Sequence, residues 1–320
     1  MSKKLFLDSL IDDFGIRHHT DGYRWLKATG YSLDDAARGL LLCLALDKTA
    51  EAGVLLGYIE KSLKGSDFYG FATAKQHFNT YPSSDDAKGQ VVWALGYALS
   101  VGFESARCRK ILAQIQDSLT DMRHIRGPAY ALLGAVYFDM ALAGRLAAKL
   151  DGFMKNCSDE WYWPEPVMTY GNGIIPSALL RYSQAAGDDA AGRSGRQLLA
   201  FLQKTCAHKR VLGPIGNDGW FRRGSARTAD YSQQPVDSAY MVLAWLAEYR
   251  ISGSAASLNQ AKRWLDWFEG NNIASQKMYD MDGLKAYDGI DHQGVNLHSG
   301  AESNICMLLA RWTHEKRRPI

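Results

Sequence analysis

Two kinds of helical segment alternate along the chain, and this alternation restricts the fold more than any other feature. One kind is apolar around nearly its whole circumference, which is typical of a buried helix. The other kind has one polar face, which is typical of an outer helix. The apolar segments are 33–46, 86–100, 128–141, 173–186, 236–251 and 299–314. The amphipathic segments are 4–14, 49–63, 103–119, 143–156, 189–205 and 255–269.

An outer segment precedes an inner segment six times, which indicates an internal repeat of helical hairpins. Six hairpins that close on themselves form an (α/α)6 toroid, so we predict an all-α fold with residues 1–320 in a single toroid domain. Turns from inner to outer segments are short, as at Asp47-Lys48, whereas most connections in the other direction are long. Because long ordered loops usually carry function, we expect the functional site where the inner helices begin.

Charge and cysteine content exclude several classes of function. The 37 Lys and Arg residues nearly balance 34 Asp and Glu residues, and no basic block could follow a nucleic-acid backbone. The five cysteines lack the spacing of a disulfide framework or a metal site. There is no signal-peptide core and no run of about 18 uncharged apolar residues. We therefore expect a cytoplasmic protein with no membrane span, no nucleic-acid partner, no cofactor and no required metal.

Acidic residues stand where several inner helices are predicted to begin. Each could cap its own helix, because Ser32, Ser83 and Ser299 precede an acid at the spacing of a capping box. A toroid, however, brings the helix starts together around one cavity, where like charges raise pKa values and suit acid–base chemistry. The candidate catalytic residues are Asp237 and Glu302 as the first pair, then Asp86 and Asp35, and finally Glu165 in a long connection.

Aromatic and amide side chains are frequent in the same long connections. Ring faces pack against the apolar faces of sugars, and amides bind hydroxyl groups, although each aromatic residue could instead serve core packing. His18 and His19 either reach the same site or are solvated. The candidate substrate-binding residues are Trp163, Tyr170, Asn172, Asn217, Trp220, Gln233, Gln234, Tyr287, Asp288, Asn296 and His298.

Short motifs along nearly the whole chain carry a family resemblance. They are 30–39 (GYSLDDAARG), 84–96 (SDDAKGQVVWALG), 163–172 (WPEPVMTYGN), 216–220 (GNDGW), 233–237 (QQPVD), 287–289 (YDG) and 300–303 (GAES). Together they resemble the helical domain found alone or fused to bacterial family-4-type glycosyltransferases, within the six-hairpin glycosidase-like superfamily. Ala36, Lys88 and the pair Gly171-Asn172 depart from that family's pattern. The resemblance implies a site at the inner-helix N-termini and a glycosyltransferase as a partner.

The residues and the resemblance together predict a carbohydrate-active enzyme that acts on an oligosaccharide or glycoconjugate. We favour a glycoside hydrolase that inverts configuration through paired carboxylates. The first alternative is a non-catalytic carbohydrate-binding module beside a glycosyltransferase, since aromatic residues alone would suffice for binding. The second is a polysaccharide lyase or sugar epimerase, which would use a His, Tyr or Lys base. In that case Arg123, Arg126, Arg222 or Arg223 could hold an acidic sugar.

Overall fold

Helices form most of the computed structural model, which describes residues 5–207, 211–280 and 284–320. The helices are α1 (Leu7–Leu10), α2 (Leu33–Ala45), α3 (Thr49–Ser62), α4 (Asp85–Ser100), α5 (Ser105–Ile115), α6 (Arg126–Ala135), α7 (Met140–Met154), α8 (Ile174–Ala186), α9 (Asp189–Thr205), α10 (Pro235–Ser252), α11 (Ala255–Leu265) and α12 (Ala301–Lys316). Short 3₁₀ helices cover Lys27–Thr29 and Gln116–Asp121. The prediction of an all-α chain is confirmed.

Short antiparallel strands lie in the connections between the helices. They are β1 (His19–Asp21), β2 (Arg24–Trp25), β3 (Tyr31–Ser32), β4 (Leu63–Lys64), β5 (Asp67–Phe68), β6 (Phe71–Ala72), β7 (Val167–Met168), β8 (Phe221–Arg222), β9 (Gly289–Asp291), β10 (Gly294–Asn296) and β11 (Ser299–Gly300). Their pairs are β1 with β2 and β11, β3 with β6, β4 with β5, β7 with β8, and β9 with β10. These pairs link residues within and between the long connections by backbone hydrogen bonds.

The chain folds into two compact units. The first contains the described residues of Met1–Leu150, Ser299–Ile305 and Ile320, and the second contains those of Asp151–His298 and Cys306–Pro319. In the first unit α2 packs against α3 and α4, and α4 packs against α6. In the second unit α8 packs against α9 and α10, and α10 packs against α11.

The tightest helix contact in the first unit depends on glycine. A Cβ atom added to Gly96 of α4 would lie only 2.3 Å from the carbonyl oxygen of Gly134 in α6. Side chains larger than hydrogen are therefore excluded at this crossing, and the two helix backbones approach each other directly.

The predicted inner segments agree with α2, α4, α8, α10 and α12 to within two residues at each end. The predicted segment 128–141 extends too far, because α6 covers Arg126–Ala135 and α7 already begins at Met140. The predicted outer helix 4–14 is wrong, because α1 covers only Leu7–Leu10, and residue 4 lies outside the described residues. The reason is Asp12, whose side chain accepts hydrogen bonds from the backbone N–H groups of Phe14 (3.0 Å) and Gly15 (3.1 Å). This local turn competes with a continuing helix.

Strand pairing in the first unit brings distant parts of the sequence side by side. β1 pairs with β11, so that His19 lies opposite Gly300, and β3 pairs with β6, so that Tyr31 lies opposite Ala72. The start of α12 consequently lies beside the connection that leads into α2. Over the described part of the chain, every helix is too short or too polar to cross a membrane.

Candidate functional site

A histidine and a buried carboxylate form the centre of the candidate site in the first unit. The Nδ1 atom of His18 lies 2.6 Å from Oδ2 of Asp35, which is the third residue of α2. The Asp35 side chain is completely buried, whereas the His18 side chain is 25% exposed. The backbone of His18 is fixed on both sides, because its N–H donates to Gly30 and its carbonyl accepts from Ala301.

Arg38 extends this contact to a second acid. Its guanidinium donates to Oδ1 of Asp35 (3.1 Å) one turn earlier on α2, and it lies 2.6 Å from Oε2 of Glu302 at the start of α12. The Arg38 side chain is nearly buried, and that of Glu302 is 31% exposed. Arg38 therefore joins the fully buried carboxylate of Asp35 to a carboxylate that solvent can reach.

Asp34 and Asp86 add two more carboxyl groups. Oδ1 of Asp34 accepts a hydrogen bond from Gln90 of α4 (3.2 Å), and Asp86 lies nearly buried in the first turn of that helix. Burial raises the pKa of Asp34 to about 6, and Arg38 opposes this rise while neighbouring carboxylates reinforce it. These neighbouring carboxylates are Asp35, Asp86 and Glu302. We call His18, Asp34, Asp35, Arg38, Asp86 and Glu302 the histidine–carboxylate cluster.

The central pair of this cluster is held in its charged form. Burial alone would lower the pKa of His18, but the charge and hydrogen bond of Asp35 outweigh it, so that the pKa is raised above 6.5. Burial would likewise raise the pKa of Asp35, but His18 and Arg38 hold it below its usual range. Because a carboxylate can only accept, Nδ1 of His18 carries the proton that they share. The Nε2 atom is therefore the one that can take up or release a proton.

Helix capping, the simpler role for these acids, does not account for Asp35. The side chain of Ser32 makes no capping hydrogen bond to α2, and both oxygens of Asp35 bind side chains instead. At α4 the capping residue is Ser84, which accepts from the N–H of Ala87 (3.1 Å), rather than the predicted Ser83. The carboxylate of Asp35 thus serves His18 and Arg38 rather than the end of its own helix.

Three of the five candidate catalytic acids meet in this cluster, namely Asp35, Asp86 and Glu302. Asp237, which is nearly buried in the first turn of α10, and Glu165, which precedes β7, belong to the second unit. Asp34 and Arg38 are not among the residues predicted from the sequence, and for His18 the sequence leaves two interpretations open. Two adjacent acids at the start of an inner helix could have indicated Asp34. Arg38 differs from its neighbours in the sequence only as a single polar residue within an apolar helix.

The predicted substrate-binding residues all belong to the second unit and differ in accessibility. Trp163 and Gln233 are completely buried, and the amide of Gln233 is used internally, since it accepts from Trp267 and donates to the carbonyl of Asp230. Asn172 is nearly buried. Partly exposed are Asn217, Gln234, Tyr287, Asp288 and Asn296, and exposed are Tyr170, Trp220 and His298.

Trp220 lines a cavity of about 380 Å³ in the second unit. Tyr231 and His292 line it as well, with ring centroids 4.2 Å apart, and Nε2 of His292 lies 2.7 Å from Asp218. Trp220 has a φ of +59°, in the left-handed region that a bulky residue rarely adopts. Strained residues of this kind concentrate at ligand sites, and the cavity combines accessible ring faces with polar groups.

A metal site is not evident in the described ranges, where no group of three or more His, Cys, Asp or Glu side chains could hold an ion. The carboxylates of the histidine–carboxylate cluster are instead engaged by His18, Arg38 and Gln90. What the cluster offers chemically is proton transfer, because it holds an oriented imidazole beside a carboxyl group with a raised pKa.

Comparisons with known proteins agree on the fold. No protein-family model matches the sequence, and no curated protein matches it. Among solved structures, a cellobiose 2-epimerase from Bacillus thermoamylovorans is similar, with 12% identity over 97% of this chain and 96% of that chain and a TM-score of 0.72. A D-mannose isomerase has 13% identity over 97% and 94%, with a TM-score of 0.70. A cellulase of C. cellulolyticum in complex with cellobiose has 12% identity over 97% and 89%, with a TM-score of 0.62.

At these low identities the likeness shows the fold alone. The similar structures are (α/α)6 toroids, so the predicted all-α toroid class is confirmed. The separate resemblance to a glycosyltransferase-associated domain stays a prediction.

Proposed function

We propose that this protein is a carbohydrate-active enzyme in which His18 transfers a proton to or from a sugar, as a sugar epimerase or isomerase does. The observation that carries the proposal is the 2.6 Å contact between His18 and the buried Asp35. It fixes the imidazole in one orientation and stabilises its protonated form, the arrangement that general acid–base catalysis needs. The solved structures with similar folds include sugar epimerases and an isomerase, which supports the same class.

The chemistry concerns the carbon next to the carbonyl group of an open-chain sugar. The neutral form of His18, in equilibrium with the imidazolium, removes the proton from this carbon with Nε2, and the electrons of the C–H bond pass into an enediolate. When the enediolate turns its other face to Nε2 before the proton returns to the same carbon, the product is the epimer. Return of the proton to the neighbouring carbon, with transfer of a hydroxyl proton between the two oxygens, interconverts an aldose and a ketose. The negative charge of Asp35 stabilises the imidazolium that forms between these steps.

Two acids of the cluster are suited to moving hydroxyl protons during the same reaction. Asp34, with a pKa raised to about 6, exists in both protonation states near neutral pH. Glu302 is partly exposed and is oriented by Arg38. Arg38 itself is a positioning residue, because its two terminal nitrogens hold Asp35 and Glu302.

The cavity lined by Trp220 is our proposed sugar-binding surface in the second unit. Its accessible indole face suits the apolar face of a sugar ring, and Asp218 and His292 can bind hydroxyl groups. Trp163 and Gln233 are not included, because both are completely buried. The single-domain organisation, the cytoplasmic location and a glycosyltransferase partner remain part of the proposal on the sequence evidence alone.

A glycoside hydrolase, favoured by the sequence alone, is the second candidate because of the raised pKa of Asp34. A carboxylic acid with a pKa of about 6 is still partly protonated near neutral pH and can protonate a leaving glycosidic oxygen. Glu302 or Asp86, which belong to the same unit, would then act as the base that activates water, and the catalytic roles of Asp237 and Glu165 stay predictions. Inversion would require the two carboxyl groups to be roughly 6.5–9.5 Å apart.

Product analysis on a panel of sugars tests the proposal. We would incubate the protein with mannose, glucose, cellobiose and longer oligosaccharides, and follow epimers, ketoses and newly released reducing ends by chromatography. His18→Asn should abolish formation of epimers or ketoses. The matched control is His124→Asn, because His124 also contacts an aspartate, Asp85 at 2.9 Å, but is 79% exposed.

Each alternative has its own outcome in this experiment. Released reducing ends that depend on Asp34 but not on His18 would replace the proposal with the hydrolase. Binding of a sugar without any product would replace it with the non-catalytic carbohydrate-binding module.

A further inference from the structure

A second cavity of the second unit, with a volume of about 630 Å³, has a different chemical character. It lies between the end of α9, the loop before β7 and the loop after β8. The side chains that decide its character are Glu160, Trp161, Phe201, Lys204, Arg223 and Arg227. None of them belongs to the histidine–carboxylate cluster. Its volume falls within the range of roughly 300–1,000 Å³ that is usual for small-molecule sites.

A rigid set of aromatic rings forms one wall of this cavity. The ring of Trp161 lies 5.6 Å from that of Phe201 and 5.1 Å from that of Phe221, between centroids. The indole N–H of Trp161 donates to the carbonyl of Glu165 (2.8 Å), which fixes its orientation. Trp161 is only 4% exposed, so Phe201 and Phe221 present the accessible apolar surface.

Three cations line the same cavity. The guanidinium of Arg223 lies 5.8 Å from the Trp161 ring centroid and donates to the carbonyl of Asn156 (2.8 Å), so it is already oriented. Lys204, in the last turn of α9, and Arg227 are exposed and form no ion pair with another residue that the structure describes. Glu160 is the one acidic residue in the described lining. The cavity therefore carries an excess of positive charge.

The lining also contains the hydroxyl groups of Ser158, Thr205, Ser225 and Thr228. Apolar ring surface, hydroxyl partners and surplus positive charge together match a sugar that carries an anionic group. We propose that this cavity binds an anionic saccharide, with its phosphate or carboxylate against Lys204, Arg223 and Arg227. The sugar ring then lies on Phe201 and Phe221. This assignment depends on the cavity alone and holds whether or not His18 is catalytic.

Isothermal titration calorimetry with four probes tests the assignment on the intact protein. Glucose 6-phosphate and glucuronate carry the two possible anionic groups, glucose lacks the charge, and inorganic phosphate lacks the sugar. We expect at least one of the two anionic sugars to bind more tightly than glucose and inorganic phosphate. The difference in affinity between glucose 6-phosphate and glucuronate identifies phosphate or carboxylate as the preferred anionic group. Added salt should weaken this binding, since exposed cations are screened.

Variants locate the binding within the cavity. The double change Lys204→Gln with Arg227→Gln should weaken binding about tenfold or more, equivalent to at least ~1.4 kcal/mol. Glu160→Gln should tighten it, because a repelling charge is removed. The matched control is Arg193→Gln, because Arg193 is an exposed cation on the same helix as Lys204 but lines neither cavity. The single variant Lys204→Gln is also informative, because Lys204 lines only the larger cavity, whereas Arg227 lines both cavities.

Three results would overturn the assignment. The first is the absence of binding by both anionic sugars at millimolar concentration. The second is affinity for glucose or inorganic phosphate equal to that for the anionic sugars, because then charge or ring would play no part. The third is binding that the double variant leaves unchanged.

Discussion

His18 and Asp35 lie 17 residues apart in the sequence, yet Nδ1 of the first is 2.6 Å from Oδ2 of the second. The contact forms because the backbone of His18 is held between the carbonyl of Gly30 and the N–H of Ala301, while Asp35 is fixed in the first turn of α2. An imidazole placed in this way has one committed nitrogen and one available nitrogen.

Removal of the buried carboxylate should be costly. Asp35→Asn leaves Arg38 and protonated His18 without their shared anion, and we expect the free energy of unfolding to fall by about 3–5 kcal/mol. Glu302→Gln should cost only about 1 kcal/mol or less, because the side chain of Glu302 is 31% exposed. Urea denaturation of both variants measures the difference. Equal losses would contradict the central position of Asp35.

The stability that His18 provides should depend on pH in one direction. Folding raises the pKa of His18 above 6.5, so the folded protein binds this proton more tightly than the unfolded chain. The stabilisation is complete below the unfolded pKa and disappears as the pH rises through the folded pKa. The unfolding free energies of wild type and His18→Asn should therefore differ more at about pH 5.5 than at about pH 9. A difference independent of pH would refute the ion pair.

The pH dependence of Asp34 should run in the same direction, but Asp34 is a group whose ionised form the fold destabilises. Its pKa is raised to about 6, so its ionised form is destabilised in the folded protein and the penalty grows as the pH rises through the unfolded pKa. Asp34→Asn should increase the free energy of unfolding by about 1–2 kcal/mol near pH 8 and impair activity. Denaturation and activity assays on one preparation check both. A loss of stability near pH 8 would contradict this account of Asp34.

The crossing of α4 and α6 should tolerate no side chain at Gly96. Gly96→Ala places a Cβ against the carbonyl oxygen of Gly134, and we expect a loss of about 1–3 kcal/mol or more. Gly57→Ala on α3 is the control, because its Cβ would meet none of the described atoms within 4 Å. That substitution should stabilise the protein by about 0.5–1 kcal/mol through helix propensity. Thermal denaturation of the two variants tests the contrast, and similar melting temperatures would contradict it.

The sequence predicted the inner helices well because burial on all sides leaves a continuous apolar signal, as in α10. It failed at segment 4–14, where the side chain of Asp12 bonds the backbone of Phe14 and Gly15 and replaces the helix with a turn. Periodicity describes the average environment of a segment. It does not reveal that one side chain accepts hydrogen bonds from the backbone and so prevents the helix from continuing.

The candidate site was predictable only in part for a related reason. Asp35, Asp86 and Glu302 were selected because each stands in the first turn of an inner helix, a position that can be found from local sequence. The contribution of His18 depends on β1 pairing with β11, which joins residues about 280 positions apart, as between Thr20 and Ser299. Arg38 depends on the same long-range contact, because its second partner is Glu302.

Deuterium incorporation from D₂O shows directly whether His18 moves a carbon-bound proton. A sugar converted in D₂O and analysed by NMR should carry deuterium at the carbon next to its carbonyl group. His18→Asn should abolish this label, while His124→Asn should keep it. Sugar products without carbon-bound deuterium, or a label that persists in His18→Asn, would contradict proton transfer by His18.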